Sequence, residues 1–214
     1  MVNPWIELLV WLPGVLVAIS LHEAAHALIA DYLGDPTPRR LGRVSLNPLV
    51  HLDLIGTLLL VLVHFGWGKP VPVDPTHLRN PRRDLVWISL AGPLANLLTA
   101  CIFGLVLRVS GPLLLAADSS GLLIYSMLRG LVLISLLLAF FNLLPLPPLD
   151  GSKVLSGLLP LAYARHYVRR AGILSWGLIV IILLERLTEI SILGPLIYTP
   201  SGWLYQLLVG PLHF

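Results

Sequence analysis

Residues 85–107 run for 23 positions without an Asp, Glu, Lys or Arg. As a helix rising 1.5 Å per residue, such a run reaches about 34 Å, enough to cross the roughly 30 Å hydrocarbon core of a bilayer. Nothing else in the chain restricts the fold so strongly, because a backbone in lipid must satisfy its own polar groups, and only helices and closed barrels do so. Residues 8–30 form a second run of this kind with Glu23 as its one formal charge, and residues 122–144 a third that carries Arg129 near its start, where a long side chain can snorkel to the interface. Residues 171–184 are shorter but extendable through Glu185 and Arg186. The stretch 190–214 is uncharged, yet Gly194-Pro195, Pro200 and Gly202 interrupt it as a broken or re-entrant helix. Composition agrees: 57% of the 214 residues are hydrophobic and 12% charged, against about 45–50% and about 25% in soluble domains. The expectation is an all-α polytopic membrane protein, a bundle of about four to six transmembrane helices. Residues 1–214 form a single integral membrane domain, with its core at roughly 4–155 and C-terminal helices at 171–214.

A net charge of +3 is too small to suggest nucleic acid as a partner; the lipid bilayer is the partner that composition implies. Cys101 is the only cysteine and lies in an apolar run, which excludes an intrachain disulfide or a cysteine-rich zinc site. The first basic side chain is Arg39, so the apolar N-terminus lacks the basic n-region of a signal peptide and reads as a retained first helix.

Residues 54–68 are apolar for only 15 positions and contain Gly56, His64 and Gly66. As a helix they give about 22 Å, too short to cross. A re-entrant reading also sorts the charges. Arg39, Arg40 and Arg43 precede this segment and Lys69, Arg79, Arg82 and Arg83 follow it; if it dips in and returns, all seven share one side with Lys153, Arg165, Arg169 and Arg170. That arrangement puts the N-terminus outside, has 8–30, 85–107, 122–144 and 171–184 crossing, and leaves little beyond Arg108 and Arg129 opposite. Between the re-entrant segment and the next span, residues 67–76 (WGKPVPVDPT) alternate Pro with Val, which forbids a helix interior and suits a short edge strand or an extended segment.

Chemistry concentrates at His22-Glu23-Ala24-Ala25-His26. This is H-E-x-x-H, whose i, i+4 spacing sets both imidazoles on one helix face with Glu23 beside them. Two histidines and a carboxylate inside an apolar helix cost several kcal/mol in lipid unless paired or metal-bound. Zinc bound by such a pair needs a third protein ligand and an open position for water, and Glu23 is placed to take that water's proton. The third ligand is open among Asp31, His51, Asp53, His64, His77 and Asp150. Asp150 has the best physical case: it follows the proline-broken stretch N-L-L-P-L-P-P-L-D-G at 142–151, and unwound backbone inside protein lets a carboxylate turn toward a buried ion. His64 also suits a hydrogen-bonded interior histidine, and His51 and Asp53 a membrane-interface role. Asn142 is positioned to hydrogen-bond a substrate backbone or a neighbouring helix, whereas Asn96, after Ala91, Gly92 and Ala95, reads as helix packing.

H-E-x-x-H in an early apolar helix, followed about 120 residues later by N-x-x-P-x-P-x-L-D-G, resembles the site-2 protease family of intramembrane zinc metalloproteases. The stretches 42–48 (GRVSLNP), 66–73 (GWGKPVPV) and 91–96 (AGPLAN) are similar to a compact bacterial branch. The similarity spans roughly residues 14–155, and the expectation is that no helix precedes 8–30 and that no regulatory domain of the kind some members carry is present. The resemblance implies one zinc ion on His22, His26 and Asp150, with Glu23 catalytic, and a core in which 8–30 and 122–144 run in the same direction. It implies hydrolysis of a transmembrane protein substrate, in a bacterial cytoplasmic membrane, with the site toward the cytoplasmic half. Val71 and Val73 on the extended stretch are candidate substrate contacts by strand addition. The rival is a non-proteolytic zinc scaffold or metal carrier, against which the scarcity of ionisable residues in the later spans counts.

Overall fold

The computed structural model describes the backbone of residues 4–63, 66–188 and 190–210, and side chains over 10–60, 66–188 and 190–210. Among the described residues the α-helices are α1 (Pro4–Tyr32), α2 (Thr37–Arg40), α3 (Leu54–Val63), α4 (Pro81–Ala116), α5 (Ser119–Leu143), α6 (Asp150–Leu158), α7 (Leu161–Arg169), α8 (Ala171–Leu187) and α9 (Gly194–Leu208). Three helical stretches are long and apolar enough to cross a membrane: Val10–Tyr32, α4 and α5. A fourth is reached if α7 and α8, bent by 59° at their junction, count as one span. The chain is thus an all-α integral membrane protein with three to four candidate spans among the described residues, against the expected four to six.

The spans are joined so that their directions follow from particular contacts. Asp118 caps α5 by accepting the backbone N–H groups of Ser120 and Gly121, and the two-residue link from α4 makes α4 and α5 an antiparallel pair. Gly14 of α1 lies against the backbone of Leu131 in α5, where a Cβ would sit 3.0 Å from Leu131 N and Cα; further along, α1 brings His22 to Asp150, just beyond the end of α5. α1 and α5 therefore run in the same direction. α4 runs against α1, since its Ile88 meets His26 and its Asn96 meets His22.

At 36 residues, α4 would be about 54 Å long, well past the expected 85–107. Pro81 starts it in the first turn, where a missing N–H costs nothing. Arg108 does not end it, because its guanidinium donates to the carbonyl of Leu207 in α9 at 3.0 Å. Around this trio sit three apolar clusters: Ala100, Val132, Leu136, Tyr205 and Leu208 join α4, α5 and α9. Leu144, Leu149, Leu178 and Leu193 dock α8 beside the α5–α6 junction. Ala30, Leu78 and Ile88 close the end of α1.

The segment expected to re-enter contains one short helix among its described residues. α3 has 10 residues, about 15 Å, and is capped by Asp53, which accepts the N–H of Gly56 at 2.8 Å. Leu52 and Gly68, on either side of it, pair in an isolated antiparallel bridge, so the chain leaves and returns at one place. The edge strand expected near 67–76 is not formed among the described residues: beyond that bridge, 69–74 carry no regular structure and Pro75–His77 form a 3-10 turn, since Pro70 and Pro72 offer no ladder donors. Buried Asp35 ties it to the α1–α2 turn, accepting the N–H groups of Thr37 at 3.0 Å and Asp74 at 2.7 Å.

Candidate metal centre

α1 supplies His22 and His26 from one face, their rings edge to face with centroids 4.6 Å apart. α6 supplies Asp150 as its first residue, and the fold that delivers it depends on a glycine. A Cβ at Gly151 would lie 2.2 Å from the carbonyl oxygen of Leu143 and 2.5 Å from that of Leu144, so only glycine lets α6 fold back this closely over the end of α5. The result brings three donors together: His22 Nε2 is 3.1 Å and His26 Nε2 3.0 Å from Asp150 Oδ2, and the two Nε2 atoms are 3.1 Å apart. All three residues are buried. The other oxygen of Asp150 faces Lys153 Nζ at 3.4 Å. Burial alone would raise the Asp150 carboxyl, but the hydrogen bonds and charges shared with His22 and His26 outweigh it and hold the group well below the usual carboxylate range.

The donor set fits zinc. Bonds of about 2.0–2.1 Å in a tetrahedral shell require donors about 3.3 Å apart, close to the spacing here. The third wall is Gly92 of α4: a Cβ there would fall 2.4 Å from His26 Nε2 and 2.6 Å from His22 Nε2, inside the space an ion needs. Each remaining imidazole nitrogen has a partner of its own. His26 Nδ1 is 2.6 Å from the carbonyl oxygen of Ile88, and His22 Nδ1 is 3.1 Å from the amide of Asn96.

Glu23 is half-buried beside this cluster. Its Oε1 is 3.6 Å from where a Gly68 Cβ would be, alongside the backbone of His51 and the side chain of Ile19, so the extended stretch begins against the carboxylate. Other sequence candidates lie apart from the three donors. Asp31 pairs with Arg39 through two contacts of 2.6 and 2.8 Å, and His51 is buried with Nε2 2.7 Å from the carbonyl of Ser45. Asp53 caps α3, His77 sits between Asp35 and Asp74, and His64 lies outside the described residues. Asn142 donates to the carbonyl of Leu138 in its own helix at 3.0 Å. Val73 packs on the Ala30–Leu78–Ile88 cluster, while Val71 is half-buried.

Two residues near the site escaped the reading from residue types alone. Arg43, counted there only as a loop charge, is buried, donates to the carbonyl of Lys69, and interacts electrostatically with Glu23. Asn96, read as packing, faces His22. The small-residue pattern before Asn96 announces close approach without saying to what.

Comparison with known proteins places this arrangement. Residues 104–184 match the model of peptidase family M50, which carries the likeness past residue 155, where the sequence motifs fade, and into α8. The chain is 43% identical to YwhC of Bacillus subtilis over 149 residues, 68% of this chain and 67% of the relative. It is 30% identical to Rip2 of Mycolicibacterium smegmatis over 176 residues, 80% of this chain and 64% of the relative. With MJ0611 of Methanocaldococcus jannaschii it shares 41% over 68 residues, 32% of this chain and 31% of that one. All three bear the provisional name of zinc metalloprotease. The matches thus span about two thirds of YwhC and Rip2, and no solved structure matches. Identity at this level across two thirds of both chains, joined to a membrane-helix core that gathers a zinc-type donor set, means that the chain belongs to peptidase family M50, the site-2 protease family of zinc metalloproteases.

Proposed function

We propose that this chain is an intramembrane zinc endopeptidase, hydrolysing peptide bonds within or next to transmembrane segments of other membrane proteins. The observation that carries the reading is the convergence of His22, His26 and Asp150 onto one point at the Gly92 wall, with Glu23 on the adjoining face of the same helix. Zinc held there supplies a Lewis acid that polarises the scissile carbonyl and acidifies water. Glu23 accepts a proton from the attacking water and passes it to the leaving amine. Arg43 adds a buried positive charge near Glu23.

The extended stretch presents the substrate to these groups. Between Lys69 and Asp74 only Val71 and Val73 carry backbone N–H groups, because 70 and 72 are prolines, and no hydrogen bond among the described residues engages either. In a strand, residues i and i+2 point the same way, so pairing with a substrate strand would use both groups on one edge. An unwound substrate gains replacement hydrogen bonds there by strand addition. With the Val73 side chain packed inward, the backbone does the holding. An apolar groove of about 480 Å³ between α1, α5, α8 and α9 reaches Ile19, one turn before Glu23, and gives an apolar segment a path to the site. The charge distribution supports an N-terminus outside and a site toward the cytoplasmic half.

The test compares membranes containing the wild-type chain with membranes containing Glu23→Gln, labelling newly created N-termini. New termini inside or beside transmembrane segments are expected only with the wild type, while the variant keeps one zinc per chain. Equal sets of termini from both proteins would sink the reading.

A further inference from the structure

Arg43 is buried, with 4% of its surface exposed. Among the described residues its guanidinium makes one hydrogen bond, from Nη2 to the carbonyl oxygen of Lys69, while Nε has no partner and no carboxylate forms an ion pair with it. Glu23 acts on it only at longer range. A guanidinium taken out of water with so little in return costs stability, and apolar replacements of buried charges are often neutral or stabilising. What Arg43 adds to the fold does not account for its place.

Its one contact does. Lys69 also donates its N–H to the carbonyl of His51 at 2.7 Å, so both backbone groups of this residue are held. Gly68, immediately before it, lies against Glu23: a Cβ there would stand 3.6 Å from Oε1. Five residues beyond Lys69, the N–H of Asp74 is bound by buried Asp35 at 2.7 Å. The segment between these two anchors carries the N–H groups of Val71 and Val73, which no hydrogen bond among the described residues engages. Arg43 is thus the side chain that fixes the end of the segment that begins beside Glu23.

We infer that Arg43 is a positioning residue: through the carbonyl of Lys69 it sets where a substrate strand paired with Val71 and Val73 lies relative to Glu23. The inference rests on the reading that the chain is a peptidase whose 69–74 segment holds an unwound substrate. A reacting bond misplaced by about 1 Å can lose about 100-fold in rate. Cutting this anchor leaves the two N–H groups in place to bind, so the loss falls on turnover more than on binding.

The experiment uses the full chain in detergent. The probe is a synthetic peptide spanning the strongest wild-type-specific cleavage site found by labelling new N-termini in membranes. Arg43→Met is expected to keep one zinc per chain and a melting temperature at or above that of wild type, while kcat falls by about 10–100-fold and KM changes much less. Deuterium exchange should quicken in peptides covering 67–74 and stay unchanged in those from α1. Arg43→Lys, whose ammonium can donate to the same carbonyl, should recover most of the lost kcat. Wild-type kcat in the methionine variant, a loss carried by KM alone, or unchanged exchange over 67–74 overturns the inference. So does a lysine variant that recovers nothing. A methionine variant that fails to fold, melts lower or loses zinc shows a structural role and overturns it too. A wild type that creates no new termini in membranes overturns the underlying reading together with this inference; wild-type cleavage with unaffected Arg43 variants overturns this inference alone.

Discussion

At the scale of single residues, Gly92 and the three donors set the site's dimensions. Alanine at 92 suits a helix interior better than glycine does, yet its methyl would stand within 2.7 Å of both imidazoles. Gly92→Ala is therefore expected to keep the helix and lose the metal, which elemental analysis of the purified protein checks; a full zinc complement would show that the Gly92 wall does not bound the ion. Asp150→Asn keeps the shape but removes the charge that faces both histidines. Its zinc affinity should fall by at least about tenfold, measured against the wild type by competition with a chromophoric chelator. At this scale the sequence was informative about identity and silent about partners. H-E-x-x-H marked His22, His26 and Glu23 as candidates because their spacing is intrinsic to a helix, but the third donor was one of six residues, and nothing local could join Asp150 to positions more than 120 residues earlier.

At the scale of elements, glycines placed against backbone decide how closely the helices approach. Gly151 lets α6 turn back over α5, and a side chain there would strike the carbonyls of Leu143 and Leu144. Gly151→Val should cost roughly 1–3 kcal/mol through overpacking and move Asp150 off the histidines. The expected outcome is a lower melting temperature together with lost zinc; a wild-type melt with zinc retained would contradict this account. Gly14→Val, against the Leu131 backbone, should lower the melting temperature by separating α1 from α5, with less effect on metal content because the His22–Asp150 contact lies farther along. Helix existence was legible from apolar runs, whereas helix ends were not. Arg108 reads as a terminus in sequence, but in the fold it is satisfied by the carbonyl of Leu207, and α4 continues to Ala116. The alternation of Pro and Val promised an edge strand; none forms among the described residues, because the prolines leave only two donors between Lys69 and Asp74.

At the scale of the whole molecule, the question is how this chain lies in the bilayer. The bridge between Leu52 and Gly68 brings the two ends of the α3 segment together, as the charge distribution requires if Arg39–Arg43 and Arg79–Arg83 share a side. Single cysteines introduced at Arg40, Arg79 and Arg165, after replacement of Cys101, should all react with a membrane-impermeant thiol reagent from the cytoplasmic side. A cysteine at Arg108 should react from the opposite side. Labelling of positions 40 and 79 from opposite sides would mean that the 54–68 segment crosses.

What the sequence determined by itself was whatever depends on short range or on composition. The membrane environment follows from the length of uncharged runs, the helical class follows from the demand that lipid places on the backbone, and the pairing of His22 with His26 follows from 3.6 residues per turn. The tertiary structure alone decided which carboxylate completes the donor set, which glycine makes room for an ion, and that Asn96 and Arg43 belong to the site. Those outcomes depend on helices far apart in the chain being brought into contact, and the distances that result, near 3 Å, are set by packing rather than by any local pattern.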